Sequence, residues 1–257
     1  MCELLGMSAN VPTDLVFSLQ GLMQRGGRTG PHRDGWGVAF YEGRGLHLFK
    51  DALPGSDSEV AKLVQGYPIK SHTVIGHIRH ANVGAVNLAN THPFVRELGG
   101  RYWSFAHNGQ LQDFRPEPRF YRPVGDTDSE TAFCSLLDQV RERFPEPVPV
   151  EMLLPQLVNA CDGFRKQGVF NCLLSDGDWL FSFCTTKLAH ITRRAPFGPA
   201  HLRDAEIHID FKAETTPDDV VTIIATEPLT SDEVWTLHQP GEWHLWWNGE
   251  IVTQGRV

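Results

Sequence analysis

Long hydrophobic runs are missing from this 257-residue chain. Nothing approaches the roughly 18 consecutive apolar residues of a membrane-spanning helix, so no membrane partner is expected. Positive charge is in deficit, with 23 Lys and Arg against 31 Asp and Glu and no basic run. A nucleic-acid partner is disfavoured for that reason, because a phosphate backbone needs a Lys/Arg surface to replace its counterions. Cysteine is sparse and odd in number: Cys2, Cys134, Cys161, Cys172 and Cys184, with no C-x-x-C pair. This argues against a disulfide framework and against a cysteine-rich zinc centre. Cys134, Cys161 and Cys172 sit among apolar residues, as small core hydrophobes do. An apolar leader segment is also lacking, since Glu3 follows Cys2 at once. No signal peptide is expected, and a cytoplasmic, reducing location would suit a free thiol.

What the chain does have is alternation. ELLGMSA reads as a buried opening strand, WGVAFY and LHLFK flank a hairpin at EGRG, and HTVIGHIRHA and RYWSFAHNGQL read as strands, the second running into a turn at Asn108-Gly109. GVFNCLLSDGDWLFSFC is a hairpin around Asp176-Gly177. KLAHITRR, EIHIDF and DVVTIIATEPL are further strands, and Asn248-Gly249 inside WHLWWNGEIVTQ has the residues of a type I′ turn. Helical stripes are fewer. Leu15, Leu19, Leu22 and Met23 share one face, with Thr13 or Asp14 as cap, and SEVAKLVQGY is a short helix. Thr127 and Glu130 have the spacing of a capping box before Phe133, Leu136, Leu137, Val140 and Phe144. After the break PEPVPV, LLPQLVNAC is a helix with Pro155 in its first turn. Helices that cluster rather than alternate with strands favour an α+β class of antiparallel sheets with helices packed outside. Residues 1–257 are read as one domain.

Four segments are richer in reactive and turn-forming residues than folding requires. They are Cys2, HRDGWG at 32–37, GHIRHANVG at 76–84 and FAHNGQL at 105–111, with DTDSE at 126–130 as a fifth. Each has a plain structural explanation: Asn-Gly makes turns, acids start helices, and a strand Arg faces solvent. Cys2 differs in one respect. With Met1 removed, it would carry a thiol and a free α-amine, a nucleophile and a base on one residue. His77, His80, His92 and His107 raise a rival, a zinc site. Strand alternation opposes it, placing His77 and Arg79 on one face and His80 on the other, with a guanidinium that would repel a dication.

Taken in order, Cys after Met1, D-G-W-G, G-H-I-R, N-T-H-P, H-N-G and D-T-D-S-E resemble the class II glutamine amidotransferases, which are N-terminal-nucleophile (Ntn) hydrolases. The dense matching covers Cys2 to Glu130, and VVTIIATEPL is similar to a late strand of the family. The resemblance implies an αββα sandwich of two antiparallel sheets flanked by helices. It also implies that Cys2 attacks the side-chain amide of glutamine, giving a γ-glutamyl thioester and ammonia. Asn108 through its side chain and Gly109 through its backbone N–H would form the oxyanion hole, where losing one donor typically costs about 2.7–4 kcal/mol of barrier. Arg79 would hold the substrate α-carboxylate and Asp128 its α-ammonium. No cofactor or metal is implied. The partner would be glutamine or another γ-glutamyl small molecule, and the ammonia would pass to a separate subunit or to solvent.

The chain departs from the family's pattern in places. Pro31 stands where the family commonly has the arginine of R-G-x-D, and Arg33 does not inherit that role. His80 replaces the usual bulky aromatic, and Ala81-Asn82 replaces A-T. The altered pocket wall opens an alternative, hydrolysis of a modified or peptide-linked γ-glutamyl group. Two other readings are a non-catalytic binding module using WHLWW as an aromatic surface, and a zinc hydrolase.

Overall fold

The computed structural model describes residues 2–67, 69–213 and 216–257; the expected removal of Met1 lies outside them. In chain order, β1 (Glu3–Thr13) leads into α1 (Val16–Arg25), the hairpin β2 (Trp36–Glu42) and β3 (Gly45–Asp51), then α2 (Glu59–Gly66). Next come β4 (Ser71–Ile78), β5 (Phe94–Leu98), β6 (Arg101–Leu111) and two helices, α3 (Asp128–Arg143) and α4 (Val150–Arg165). The second half is strands: β7 (Gly168–Ser175), β8 (Leu180–Phe183), β9 (Ala189–Arg194), β10 (Pro199–His201) and β11 (His208–Asp210). It ends with β12 (Val220–Ala225), β13 (Thr236–Leu237), β14 (Glu242–Trp247) and β15 (Glu250–Arg256).

One sheet has the order β13-β9-β12-β1-β4-β2-β3, the other β15-β14-β8-β7-β6-β5, and every pairing is antiparallel. Period-two alternation sorts the side chains into three apolar layers. On β1, Leu5 and Met7 pack with Leu19 and Leu22 of α1, whereas Leu4 turns inward to meet Ala106, Leu173, Leu180 and Trp246 of the facing sheet. The outer face of the second sheet, with Phe105, Phe170 and Phe181, packs against Phe133 and Leu137 of α3 and Leu157 of α4. This is the expected αββα sandwich.

Most local expectations hold. Leu15, Leu19, Leu22 and Met23 are all buried, and Asn248 (φ 51°) and Gly249 (φ 78°) both take the positive φ that a type I′ turn demands. Thr127 caps α3 by accepting from Glu130 N at 3.3 Å, but Glu130 turns its carboxylate to Gly125 N (2.7 Å) and Arg96 rather than back to its cap. Three expectations are corrected. Asn108-Gly109 is not a turn: β6 runs straight through it, paired with Asn171 and Phe170 of β7. Pro155 lies inside α4, because Val150 to Leu154 are already helical. WHLWW is an interior strand with β15 outside it; Trp246 is enclosed between the sheets, so it offers no continuous aromatic surface.

Among the described residues, six of the seven buried histidines have their pKa lowered by burial. His77 falls to about 3, His190 to about 4 and His238 to about 2, while His92, His107 and His244 also move down. The unfolded chain takes up protons at these sites below about pH 6.5, whereas the folded chain does not. Their neutral burial is therefore fully tolerated above about 6.5 and becomes progressively costly as pH falls. We expect the unfolding free energy, measured by urea titration, to drop steeply from pH 7 to pH 5; an unchanged midpoint would contradict this.

Candidate functional site

Strand β1 lies between β4 and β12, and its register sets Glu3 opposite Ile78. Cys2 therefore arrives beside the residues that follow β4. Its sulfur accepts a hydrogen bond from His80 N at 3.3 Å, and the thiol can donate to His80 O at 3.6 Å. Desolvation raises the thiol pKa, opposed by the His80 N–H and the Arg79 guanidinium. The sulfur is thus protonated at neutral pH, and it needs a nearby base to become a nucleophile.

The D-G-W-G segment builds the other side of this corner. Arg79 N donates to Gly35 O (2.8 Å), Asp34 N donates to Arg79 O (3.2 Å), and Ala81 N donates to Asp34 Oδ2 (2.7 Å). Gly35 has φ 114°, and a Cβ there would lie 2.9 Å from Asp51 O, so glycine is required. Trp36 is fully buried and anchors the segment in the core. Two backbone bonds and one to the Asp34 carboxylate thus fix residues 79 to 81.

Arg79 is buried, and its guanidinium donates to the carbonyls of Ala85 (2.9 Å), Val83 (3.0 Å) and Gly84 (3.3 Å). Asn90 ties the same loop to the start of α3, donating to Ala85 O (2.9 Å) and to Asp126 Oδ1 (2.5 Å). Asp128 follows the Thr127 cap, and its Oδ2 accepts from Leu111 N at 2.6 Å, joining the end of β6 to the helix.

On β6, His107 and Gly109 face α3 while Asn108 faces the space between the sheets. Gly109 is glycine because of close approach and not because of a turn: a Cβ there would come within 1.8 Å of Val169 O. His107 is held at both nitrogens. Val169 O only accepts, so Nε2 carries the proton (3.1 Å) and Nδ1 accepts from Ser129 Oγ (2.8 Å). By the same reasoning His77, reaching across from the first sheet, donates Nε2–H to His107 O at 3.2 Å.

Cys2, Arg79, His80, His107, Gly109 and Asp128 line one cavity of about 30 Å³. That volume holds roughly two or three waters. Four of the five residues singled out in the sequence are thus brought together. Asn108 is not among the lining residues; its Nδ2 makes a long contact of 3.4 Å to Thr226 Oγ1, and its Oδ1 is buried without a partner. Among the described residues, no three His, Cys, Asp or Glu side chains of this cavity converge as metal ligands.

Two supporting groups escaped the sequence reading. Arg25 is buried at the start of β1, bonded to Glu3 (3.0 Å), Asp204 (2.8 Å) and the carbonyls of Glu227 (3.1 Å) and Pro228 (2.7 Å). The other is Asn171, fully buried. Its Nδ2 donates to Asn108 O and Thr186 Oγ1 (both 2.9 Å), and its Oδ1 accepts from the backbone N–H of Thr185 (2.8 Å), Thr186 (2.9 Å) and Lys187 (3.3 Å). Peptide planarity means that fixing Asn108 O also fixes the direction of Gly109 N–H. An Asn inside the apolar run GVFNCLL was the available signal.

Two antiparallel sheets flanked by helices are the Ntn-hydrolase-like fold of class II amidotransferase structures. The family model described as "Glutamine amidotransferases class-II" matches residues 1–257, and the chain belongs to that family. It is 57% identical to "Putative glutamine amidotransferase YafJ" of Escherichia coli (strain K12), over 98% of this chain and 100% of that protein. A crystal structure of a "predicted glutamine amidotransferase" from Pseudomonas aeruginosa PA01 superposes with a TM-score of 0.80 at 67% identity, covering 98% of this chain and 100% of the other. A more distant relative, "Glutamine--fructose-6-phosphate aminotransferase [isomerizing]" of Bradyrhizobium diazoefficiens, is 32% identical over 62% of this chain but only 26% of its own length.

Replacing Asn171 by Ala strips three backbone N–H groups and one carbonyl of their partner. Buried groups left unpaired typically cost about 1–3 kcal/mol each. We expect Asn171→Ala to lose about 2–5 kcal/mol of unfolding free energy, with Asn171→Asp intermediate because it keeps the acceptor; a change below about 0.5 kcal/mol in urea unfolding would refute the assignment.

Proposed function

We propose that this chain is an enzyme that hydrolyses the side-chain amide of glutamine through Cys2, residues 1–257 acting as one catalytic unit in the reducing cytoplasm. The observation that carries the proposal is the shared cavity, where four separate chain segments deliver Cys2, Arg79, Gly109 and Asp128. Because burial keeps the thiol protonated, the α-amine exposed by removing Met1, with an ordinary pKa of about 7.7–8.0, is the fitting base.

The amine takes the thiol proton as sulfur bonds to the amide carbon, and the carbonyl electrons move to oxygen. The oxyanion is met by Gly109 N–H and, once its side chain turns away from Thr226 Oγ1, by Asn108 Nδ2. Collapse breaks the C–N bond, the amine returns its proton to nitrogen, and ammonia leaves a γ-glutamyl thioester. Water then attacks the thioester, the C–S bond breaks, and glutamate and the free thiol are formed. Arg79 and Asp128 hold the amino-acid end. Three of the five Arg79 N–H donors are engaged by the loop carbonyls of Val83, Gly84 and Ala85, so the carboxylate takes the remaining donors or displaces those carbonyls. The ammonia goes to a separate acceptor subunit or to solvent.

A second reading, a larger γ-glutamyl amide as substrate, is favoured by one feature. Val83, Val86 and Leu88 on that loop are exposed and give an apolar rim to a leaving group bulkier than ammonia. A γ-glutamyl substrate panel separates the two, since preference for free glutamine rejects the larger substrate.

Three results are expected from glutaminase assays of the processed protein. Cys2→Ala should lower kcat at least about a thousandfold. Arg79→Ala should raise KM by about 10- to 100-fold, as loss of a charge-assisted pair does. The rate kcat/KM should climb with pH and level off near pH 8, following deprotonation of the amine. Equal rates for Cys2→Ala and the parent protein would end the proposal.

A further inference from the structure

A second cluster of reactive side chains lies away from the cavity, on the two-stranded ribbon β10–β11. The register sets His201 directly opposite His208, and their rings stack with centroids 3.8 Å apart at 22°. Glu206, in the connecting loop, places Oε2 at 3.9 Å from His201 Nε2. One ligand atom from each of the three lies within 4.8 Å of the others. We propose that His201, Glu206 and His208 form a site for a late first-row divalent transition metal, with zinc, nickel and copper as the fitting ions.

The chemistry selects that class. Two neutral imidazoles and one carboxylate suit these ions, whereas calcium and magnesium require more oxygen ligands than the single Glu206 supplies. Metal–ligand bonds of about 2.0–2.2 Å at a tetrahedral centre put donors roughly 3.4 Å apart. The 3.9 Å between His201 and Glu206 must therefore shrink by about half an ångström, and the wider spacings, within 4.8 Å, by up to about 1.4 Å. Both rings must also splay, because stacked imidazoles aim their lone pairs in parallel. Glu206 and His208 are exposed and His201 is half-buried, so these rotations meet little packing.

The scaffold beneath the three side chains is fixed. His201 N donates to Asp232 Oδ1 (2.9 Å) and His201 O accepts from Ser231 N (3.0 Å). The loop is pinned by Asp204, which accepts from Arg25 Nε and Thr29 Oγ1 (both 2.8 Å), and by Arg203 Nε, which donates to Thr230 O (3.1 Å). With the backbone fixed in this way, metal binding has only side-chain rotations to order. Two imidazoles facing each other gain from sharing a cation, since protonating both would set like charges directly opposite.

The test uses the full chain carrying Cys2→Ala, which removes the competing thiol. Zn²⁺ binding is followed by equilibrium dialysis, and nitrogen hyperfine structure is read from the electron paramagnetic resonance of bound Cu²⁺. One Zn²⁺ per chain and a two-nitrogen copper spectrum are expected. His208→Ala should weaken binding roughly tenfold or more and leave a one-nitrogen spectrum, and Glu206→Gln should weaken it while keeping both nitrogens. Thermal unfolding without metal shows that each variant is folded. No zinc uptake by the parent chain, or uptake unchanged in both His208→Ala and Glu206→Gln, overturns the site.

Discussion

The antiparallel pairing of β1 with β4 and β12 is the constraint on which the rest depends. A strand at the chain's beginning would ordinarily fray, because termini are ordered only when something ties them down. Here the strand is hydrogen-bonded on both edges and buried on both faces, with Leu4 and Leu5 pointing into different apolar layers. Arg25 and Glu3 reinforce it with an ion pair inside the protein. Residue 2 consequently reaches a fixed position at the edge of a sheet interior. The register then decides its neighbours, which are the residues just beyond β4.

The two sheets touch chiefly through apolar side chains, but near the cavity polar groups join them. His77 spans the gap to the His107 carbonyl, and Asn171 holds the next carbonyl along, that of Asn108. Successive peptide units of β6 are thereby clamped, one from the opposite sheet and one from the adjacent strand. Buried polar groups of this kind cost stability when unpaired and give orientation when paired. The side-chain Oδ1 of Asn108, left without a partner, is the exception within this clamp. It sits beside the one peptide whose N–H the proposed reaction would use.

Much of this arrangement was legible in the sequence because it rests on local periodicity. The alternation in ELLGMSA and WGVAFY, the i, i+3, i+4 stripe of Leu15, Leu19 and Leu22, and the turn residues Asn248-Gly249 each encode their own element. The ordered motifs brought the family into view, and with it Cys2, Arg79, Gly109 and Asp128. Asn108-Gly109 shows where local reasoning fails: the dipeptide has turn chemistry, yet pairing with β7 keeps it extended, and the glycine is there to let Val169 O approach. Arg25 and Asn171 were invisible for a different reason. Their partners lie far along the chain, at Asp204, Glu227 and Thr185–Lys187, and no spacing rule connects them before the fold is known. The Arg79 bonds to Val83–Ala85 were also hidden, since an arginine in a motif says nothing of what it holds before a ligand arrives.

The account's central claim is that the sulfur of Cys2 bonds to the substrate carbon. It is tested most directly by mixing the processed protein with glutamine, quenching in acid within a turnover, and mapping the N-terminal peptide by mass spectrometry. The account predicts a γ-glutamyl group in thioester linkage at Cys2, removed by hydroxylamine. Turnover of glutamine to glutamate with the Cys2 peptide unmodified at every quench time, and undiminished when the thiol is blocked beforehand, would contradict it.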